Sequence, residues 1–194
     1  QANQVIKHLL KDDNNNLIKR ANGMTVVSPA MSYYLHKGIA NYGFIDESFA
    51  LLNQRFSPML APQYNGTLWE EWWLNGTGRS GKFVDNGRTR SDVQTESAFA
   101  PALFAEYILG VRPIEFGMKT LLIKRMPHSI KDISGLVPTP FGLVKVEWQN
   151  NANNHGKLKV DIPKNIELVI DLSMMNSKQG ELKKLTAGQH TVNF

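Results

Sequence analysis

The sequence of 194 residues contains no cysteine. Disulfides and thiolate metal sites are thereby excluded, although this absence does not identify a compartment. Long apolar runs are missing too: no stretch approaches the roughly 20 residues that a helix needs to cross a bilayer, so no membrane partner is expected. No secretory leader is visible, and the numbering opens on Gln1 rather than methionine, from which a leader or a larger upstream region is expected. The five histidines, His8, His36, His128, His155 and His190, lack ligand spacing of the HxxxH kind, and each is expected to be structural or exposed. No metal site follows from them. Gly76, Gly78 and Gly81 lack the lysine-serine pattern of a phosphate loop, so no nucleotide cofactor is expected either.

A concentrated charge of one sign is the last absence. The formal charge is +5, but lysines and arginines are dispersed from Lys7 to Lys184 rather than gathered into a stripe. Dispersed charge gives little local field, and a solvated basic surface is expected in place of a nucleic-acid interface. What is present is ordinary for a folded, water-soluble protein: 42% hydrophobic and 20% charged residues, in a chain long enough for one domain or two small ones.

The first part has a helical period. Val5, Ile6, Leu9 and Leu10 predict a short amphipathic helix, broken by the polar run of residues 12–16. Ser28-Pro29 reads as an N-cap followed by proline in the first turn, with Met31, Leu35 and Ile39 inward and Gly43 as the stop. Asp46 reads as the cap of a third helix carrying Phe49, Leu52, Phe56 and Met59, the two helices forming an antiparallel hairpin. Residues 63–92, rich in glycine, asparagine, arginine and tryptophan, keep no period and are too long for an ordinary connection, which marks a functional loop. A helix over residues 96–109, with Phe99, Leu103, Tyr107 and Phe104 inward, ends at Gly110.

Beyond Pro113 the period shortens to that of strands. Residues 120–124, 143–148, 158–162 and 166–172 are β-rich and separated by turn residues, and Lys157, Lys159 and Asp161 alternate with Leu158, Val160 and Ile162. The fold class is therefore α+β in two parts, with helices over 1–112 and a small antiparallel β-sandwich over 113–194 packed against them. The helices carry broad apolar stripes without a common heptad, as part of a larger layer would, so upstream chain of the same polypeptide is an expected partner.

The chemistry concentrates in Thr67-Leu68-Trp69-Glu70-Glu71-Trp72-Trp73, which holds three of the four tryptophans. Apolar rings desolvate a carboxylate and offer flat faces for a sugar ring, so the composition suits acid/base chemistry on a carbohydrate substrate. An aromatic cluster closing a core beside two surface glutamates fits the composition equally well. Glycoside hydrolysis needs a second carboxylate. Glu96 and Asp92 lie near Glu70 if the loop folds back, although each also has an ordinary role at a turn or in the first turn of a helix. Arg79, Arg88 and Arg90 are candidates for sugar hydroxyls or simply solvated.

These residues resemble the C-terminal end of bacterial α-L-rhamnosidases and their relatives. The similarity rests on Val27-Ser28-Pro29-Ala30-Met31-Ser32-Tyr33-Tyr34-Leu35, on Gly66-Thr67-Leu68-Trp69-Glu70-Glu71-Trp72, on Ala100-Pro101-Ala102-Leu103 and on Tyr107-Ile108-Leu109-Gly110-Val111-Arg112-Pro113. It continues through Gly142-Leu143-Val144-Lys145-Val146-Glu147-Trp148 and Leu158-Lys159-Val160-Asp161-Ile162-Pro163. The resemblance implies that residues 1–112 are the closing helices of an incomplete (α/α)6 catalytic barrel and 113–194 its C-terminal β-sandwich. It further implies an inverting glycoside hydrolase of carbohydrate metabolism, periplasmic or extracellular, acting on terminal α-L-rhamnosyl or related sugars. Glu70 matches the family's general base, whereas the general acid belongs to an earlier segment with no counterpart here, so the chain alone is expected to be inactive. Many members of that family carry a histidine just before the alanine-proline-alanine helix. Gln94-Thr95-Glu96-Ser97 stands there instead, which leaves the exact sugar open and suggests Glu96 as a substrate-binding residue beside Trp69, Trp72 and Trp73. The competing expectation is a non-catalytic module, with those tryptophans as a stacking platform or the sandwich as a brace on the barrel.

Overall fold

The computed structural model describes residues 1–10, 27–62, 66–70, 93–150, 156–175 and 182–194. They divide into two compact units, Gln1–Ala100 and Pro101–Phe194. Among the described residues no helix is long and apolar enough to cross a membrane.

The first unit is helical. Helix α1 spans Ala2–Leu10, α2 Ser32–Asn41 and α3 Ile45–Phe56, with a 3₁₀ turn over Ser57–Leu60. Ser28 opens a turn rather than capping α2. Its side-chain oxygen accepts from the Met31 amide at 3.4 Å and its carbonyl accepts from the Ser32 hydroxyl at 2.8 Å, so the helix proper starts at Ser32. The stop at Gly43 is a Schellman arrangement. Gly43 takes φ +87° and donates its N–H to the Ala40 carbonyl at 2.9 Å, while Phe44 donates to Ile39 at 3.3 Å. Asp46 lies inside the first turn of α3 with Glu47, where both complement the helix dipole, and Phe44 occupies the cap.

The buried stripes differ from those expected. Inward on α2 are Ser32, His36, Ile39 and Ala40, and inward on α3 are Ile45, Ser48, Leu51, Leu52 and Arg55. Met31 is more than half exposed and Phe49 and Phe56 are only partly buried. Polar side chains occupy inward positions on both helices and turn each stripe slightly: His36 meets Ser48, while Ser32 and Arg55 donate to the Ser28 and Val27 carbonyls. The apolar remainder still forms a core: Ile39 and Leu51 pack with Ile6 of α1, Leu35 and Phe44.

The boundary between the units falls in a short helix, α4 (Ala100–Leu103), that widens into a π-helix over Phe104–Ile108, closed by the Leu109 amide on the Phe104 carbonyl at 2.9 Å, with the Phe104 side chain exposed rather than inward. The expected helix over 96–109 is thus interrupted, its start being a separate 3₁₀ turn at Thr95–Ser97. Gly110 ends it with φ +75°. A Cβ there would lie 2.7 Å from the Lys124 carbonyl, and the Gly110 carbonyl accepts from the Lys124 amide at 2.8 Å. Only glycine accommodates both the backbone conformation and the approach.

Among the described residues eight strands follow in two sheets. The first sheet is ordered β1 (Val111–Pro113), β2 (Thr120–Ile123), β6 (Glu167–Ile170), β7 (Lys183–Leu185); the second is ordered β3 (Ile133–Thr139), β4 (Gly142–Asn150), β5 (Gly156–Ile162), β8 (Gly188–Asn193). The second sheet is antiparallel throughout, but β2 and β6 pair in parallel. The expectation of a wholly antiparallel sandwich is corrected on that point: the chain leaves β2, forms β3, β4 and β5 of the second sheet and returns beside β2 in the same direction. Alternation decides which face is buried. Val144, Val146, Trp148, Leu158, Val160 and Ile162 enter one core with Leu121, Ile123, Leu168 and Ile170 of the other sheet. Each such side chain contributes about 1.5–3 kcal/mol on burial.

The division at Ala100 precedes the expected boundary at residue 112. Residues just after Pro101 belong with the sandwich because Leu109 lies in its core, Ala105 packs against it, and Trp148 Nε1 donates to the Leu109 carbonyl at 2.9 Å. Strand period alone does not register a helical segment that serves as part of a sandwich core.

Candidate functional site

Glu70 is the last described residue before a segment outside the described part of the structure, and Val93 is the first after it. The two ends of that segment are joined. The Gln94 amide donates to the Leu68 carbonyl at 2.8 Å, and the Ser97 hydroxyl, itself buried, donates to the Trp69 carbonyl at 2.8 Å. The backbone before Glu70 and the stretch that carries Glu96 are thereby side by side. Extended Gln94 leads into the 3₁₀ turn Thr95–Ser97, which aims the Ser97 side chain inward and leaves Glu96 on the surface.

The side chains around this junction are unequal. Trp69 is wholly buried and packs with Met59, Phe56 and Leu68. Its indole therefore belongs to the core and offers no open face to a sugar, which corrects the stacking role expected of it: Met59, Phe56 and Leu68 occupy the space around the ring. Glu70 is half-buried. Glu96 is exposed, and its carboxylate accepts from Gln94 Nε2 at 2.6 Å and from Thr95 Oγ1 at 3.1 Å. Two local donors hold that carboxylate in one orientation at the surface. Trp72, Trp73, Arg79, Arg88, Arg90, Asp92 and the glycines at 76, 78 and 81 lie outside the described residues.

Beneath the junction is an aromatic and polar layer. Phe99 meets Phe56 edge-on at 5.6 Å, Tyr33 at 6.0 Å and the His36 ring at 5.8 Å. His36 Nδ1 is 3.0 Å from Ser48 Oγ across the α2–α3 interface. Arg55, also wholly buried, donates from Nη2 to the Val27 carbonyl and so ties the stretch before α2 to the end of α3. Burial depresses the His36 imidazole to about 4, helped by the positive charge of Arg55 and opposed by the Ser48 hydrogen bond. Burial likewise lowers the Arg55 guanidinium to about 10. His36 is consequently neutral, and Arg55 charged, across the physiological range.

No motif in the sequence marks Ser97, His36 or Arg55 as part of this layer. Arg55 falls in the last turn of a helix, where a cation on the surface is the ordinary expectation. A usable signal was its spacing, since it follows Leu51 and Leu52 and precedes Met59 on one helical stripe. Among the described residues no group of three or more His, Asp or Glu is arranged to hold a metal ion.

Residues 110–186 match the family model described as bacterial alpha-L-rhamnosidase C-terminal domain. No curated protein sequence matches the chain significantly. Among solved structures, the native α-L-rhamnosidase of Aspergillus terreus superposes with a TM-score of 0.67 at 20% identity, over 98% of this chain and 20% of that one. The α-L-rhamnosidase of Dictyoglumus thermophilum gives 0.62 at 17% identity, over 85% of this chain and 20% of its own. The Streptomyces avermitilis α-L-rhamnosidase, solved with L-rhamnose, gives 0.58 at 15% identity, over 98% and 19%. The chain thus spans about a fifth of the length of these structures, and at such identities the likeness is one of fold. With residues 110–186 matching the family's C-terminal domain model and a fold shared with solved α-L-rhamnosidases, the chain is similar to the C-terminal part of α-L-rhamnosidases.

Proposed function

We propose that the chain is the C-terminal part of an inverting glycoside hydrolase acting on terminal α-L-rhamnosyl or related sugars, with Glu70 as the general base. The observation that carries this reading is the setting of Glu70. It is half-buried and follows a tryptophan whose side chain is locked in the core and whose carbonyl is held by Ser97, in a chain whose next unit matches the rhamnosidase C-terminal domain. A general base must be held still while a water is deprotonated against a developing oxocarbenium centre. Fixing the backbone on its N-terminal side contributes to this.

In an inverting enzyme the base and acid carboxyls stand about 6.5–9.5 Å apart, leaving room for the water. The acid belongs to the upstream barrel of the same polypeptide, and the 194-residue chain alone does not turn over. In the complete enzyme, Glu70→Gln lowers kcat by a factor of about 100 to 10,000 while substrate still binds, and Glu71→Gln does not. Near-normal turnover of the Glu70 variant would end the assignment. The non-catalytic reading, a tryptophan stacking platform, has lost one of its three rings to the core with Trp69.

A further inference from the structure

The β-sandwich unit holds a buried cation with an unmet donor. Arg125, in the segment between β2 and β3, is 1% exposed and lies over the Trp148 ring, its guanidinium carbon 5.5 Å from the ring centroid. Nε donates to His128 Nε2 at 3.3 Å, and Nη2 donates to the Ile130 carbonyl and, at 3.4 Å, to that of Lys131. Nη1 is buried and meets no acceptor, and the Asn150 Oδ1 atom is likewise buried without a donor. The two residues line one cavity of about 110 Å³, closed by Pro127, His128, Met174 and Met175.

These bonds all end on neutral groups. Asp132 supports the guanidinium charge from a distance, but its Oδ1 is used by the Asn150 backbone N–H at 3.2 Å and its side chain does not line this cavity. Burial accordingly pulls the Arg125 guanidinium below its ordinary range. Taking a charge out of water without a counter-ion at contact costs several kcal/mol, and a buried guanidinium is compensated best by a carboxylate facing its fork.

We propose that Arg125 and Asn150 form a binding site for one small carboxylate anion in the sandwich. One carboxylate oxygen accepts from Arg125 Nη1. The other accepts from Asn150 Nδ2 once the amide is turned over, a turn that breaks no hydrogen bond of Oδ1. The volume suits such a ligand, since each water occupies about 30 Å³ and the cavity is no larger than a few of them. A single water would also bridge the two atoms without turning the amide, but it leaves the buried charge uncompensated. Occupation would pin the chain between β2 and β3, because the same guanidinium holds the carbonyls of Ile130 and Lys131.

The probe is sodium acetate, titrated into the ¹⁵N-labelled 194-residue chain at neutral pH, with sodium chloride at matched ionic strength as the comparison. The Arg125 Nε–H and Asn150 side-chain resonances should shift saturably with acetate and not with chloride, and the melting temperature of the sandwich should rise by about 5 °C at an acetate concentration about ten times its Kd. Asn150→Ala should weaken the acetate affinity at least about fivefold, and Arg125→Met should abolish the thermal response. If Arg125→Met does not fold, the Asn150→Ala titration alone decides. Non-saturating shifts in the wild type, an equal response to chloride, or unchanged acetate affinity in Asn150→Ala would each overturn the site and leave a bridging water in its place.

Discussion

The hydroxyl of Ser97 donates a 2.8 Å hydrogen bond, inside the protein, to the backbone carbonyl of Trp69. With the Gln94 amide on the Leu68 carbonyl, it holds the stretch before Glu70 against the 3₁₀ turn that carries Glu96. Ser97→Ala removes the donor and leaves a buried acceptor to be satisfied otherwise, at a cost of about 1–3 kcal/mol. Urea denaturation followed at the tryptophan fluorescence should report that loss, and in the complete enzyme kcat should fall more than KM rises. A Ser97→Ala variant with unaltered stability would mean that the bond does not fix the junction.

The buried His36 makes the helical unit sensitive to acid. Its pKa is about 4 in the folded protein and ordinarily 6.5, so the unfolded chain binds the proton more readily. Stability is therefore complete above about pH 6.5 and falls as the pH drops toward 4, by up to about 1.4 kcal/mol per unit and on the order of 3 kcal/mol in all. Asp171, held near 2 by the Lys124 hydrogen bond against the opposing effect of partial burial, acts only below its ordinary value of 3.8 and leaves this window largely to the imidazole. Measured between pH 7 and 4.5, His36→Gln should flatten the pH dependence of unfolding, and a slope identical to the wild type would remove His36 as its source.

Gly110 ends the π-helix and abuts the chain just after β2. Gly110→Ala must strain a backbone at φ +75° and push a methyl against the Lys124 carbonyl, which a Cβ would approach to 2.7 Å. A left-handed conformation costs a non-glycine residue about 1–2 kcal/mol, and the clash adds to it, so a loss of at least about 2 kcal/mol is expected in denaturant unfolding of the sandwich. A loss below 1 kcal/mol would mean that β1 and β2 shift freely past one another.

The sandwich was the more legible half of the chain. Its strands β4 and β5 declare themselves through the strict alternation of Lys157, Lys159 and Asp161 with Leu158, Val160 and Ile162, because a half-buried sheet imposes a period of two. Strands β1, β3, β7 and β8 were not singled out. Gly135 and Pro138 interrupt β3, and His190 and Thr191 in β8 blur the pattern of Val192 alone. The parallel pairing of β2 with β6 has no local signature, since direction depends on the path of the intervening chain. In the helices, the stop at Gly43 was legible from residue type and the facing stripes were not. His36, Ser48 and Arg55 are inward because they find partners across the interface or at Val27, and partnership between distant polar residues is invisible to a count of apolar ones. The same blindness placed Trp69 at a sugar face: composition identifies which residues suit a carbohydrate, but one step along the chain separates the core from the site.

Glu96 tests how much of the junction reaches substrate. Its carboxylate is exposed yet already engaged by Gln94 Nε2 and Thr95 Oγ1, so it is oriented before any ligand arrives. A sugar hydroxyl donating to it would meet a preorganised acceptor, which favours binding over the chemical step. On the reading that this segment faces substrate, Glu96→Gln in the complete enzyme raises KM by about 5- to 20-fold with kcat little changed, because a charged hydrogen bond contributes about 1.5–3 kcal/mol when desolvated and less at an open surface. Folding should be unaffected, since glutamine keeps an acceptor for both neighbours. Unchanged KM and kcat would restrict Glu96 to shaping the turn, and the sugar contacts would then have to come from elsewhere in the enzyme.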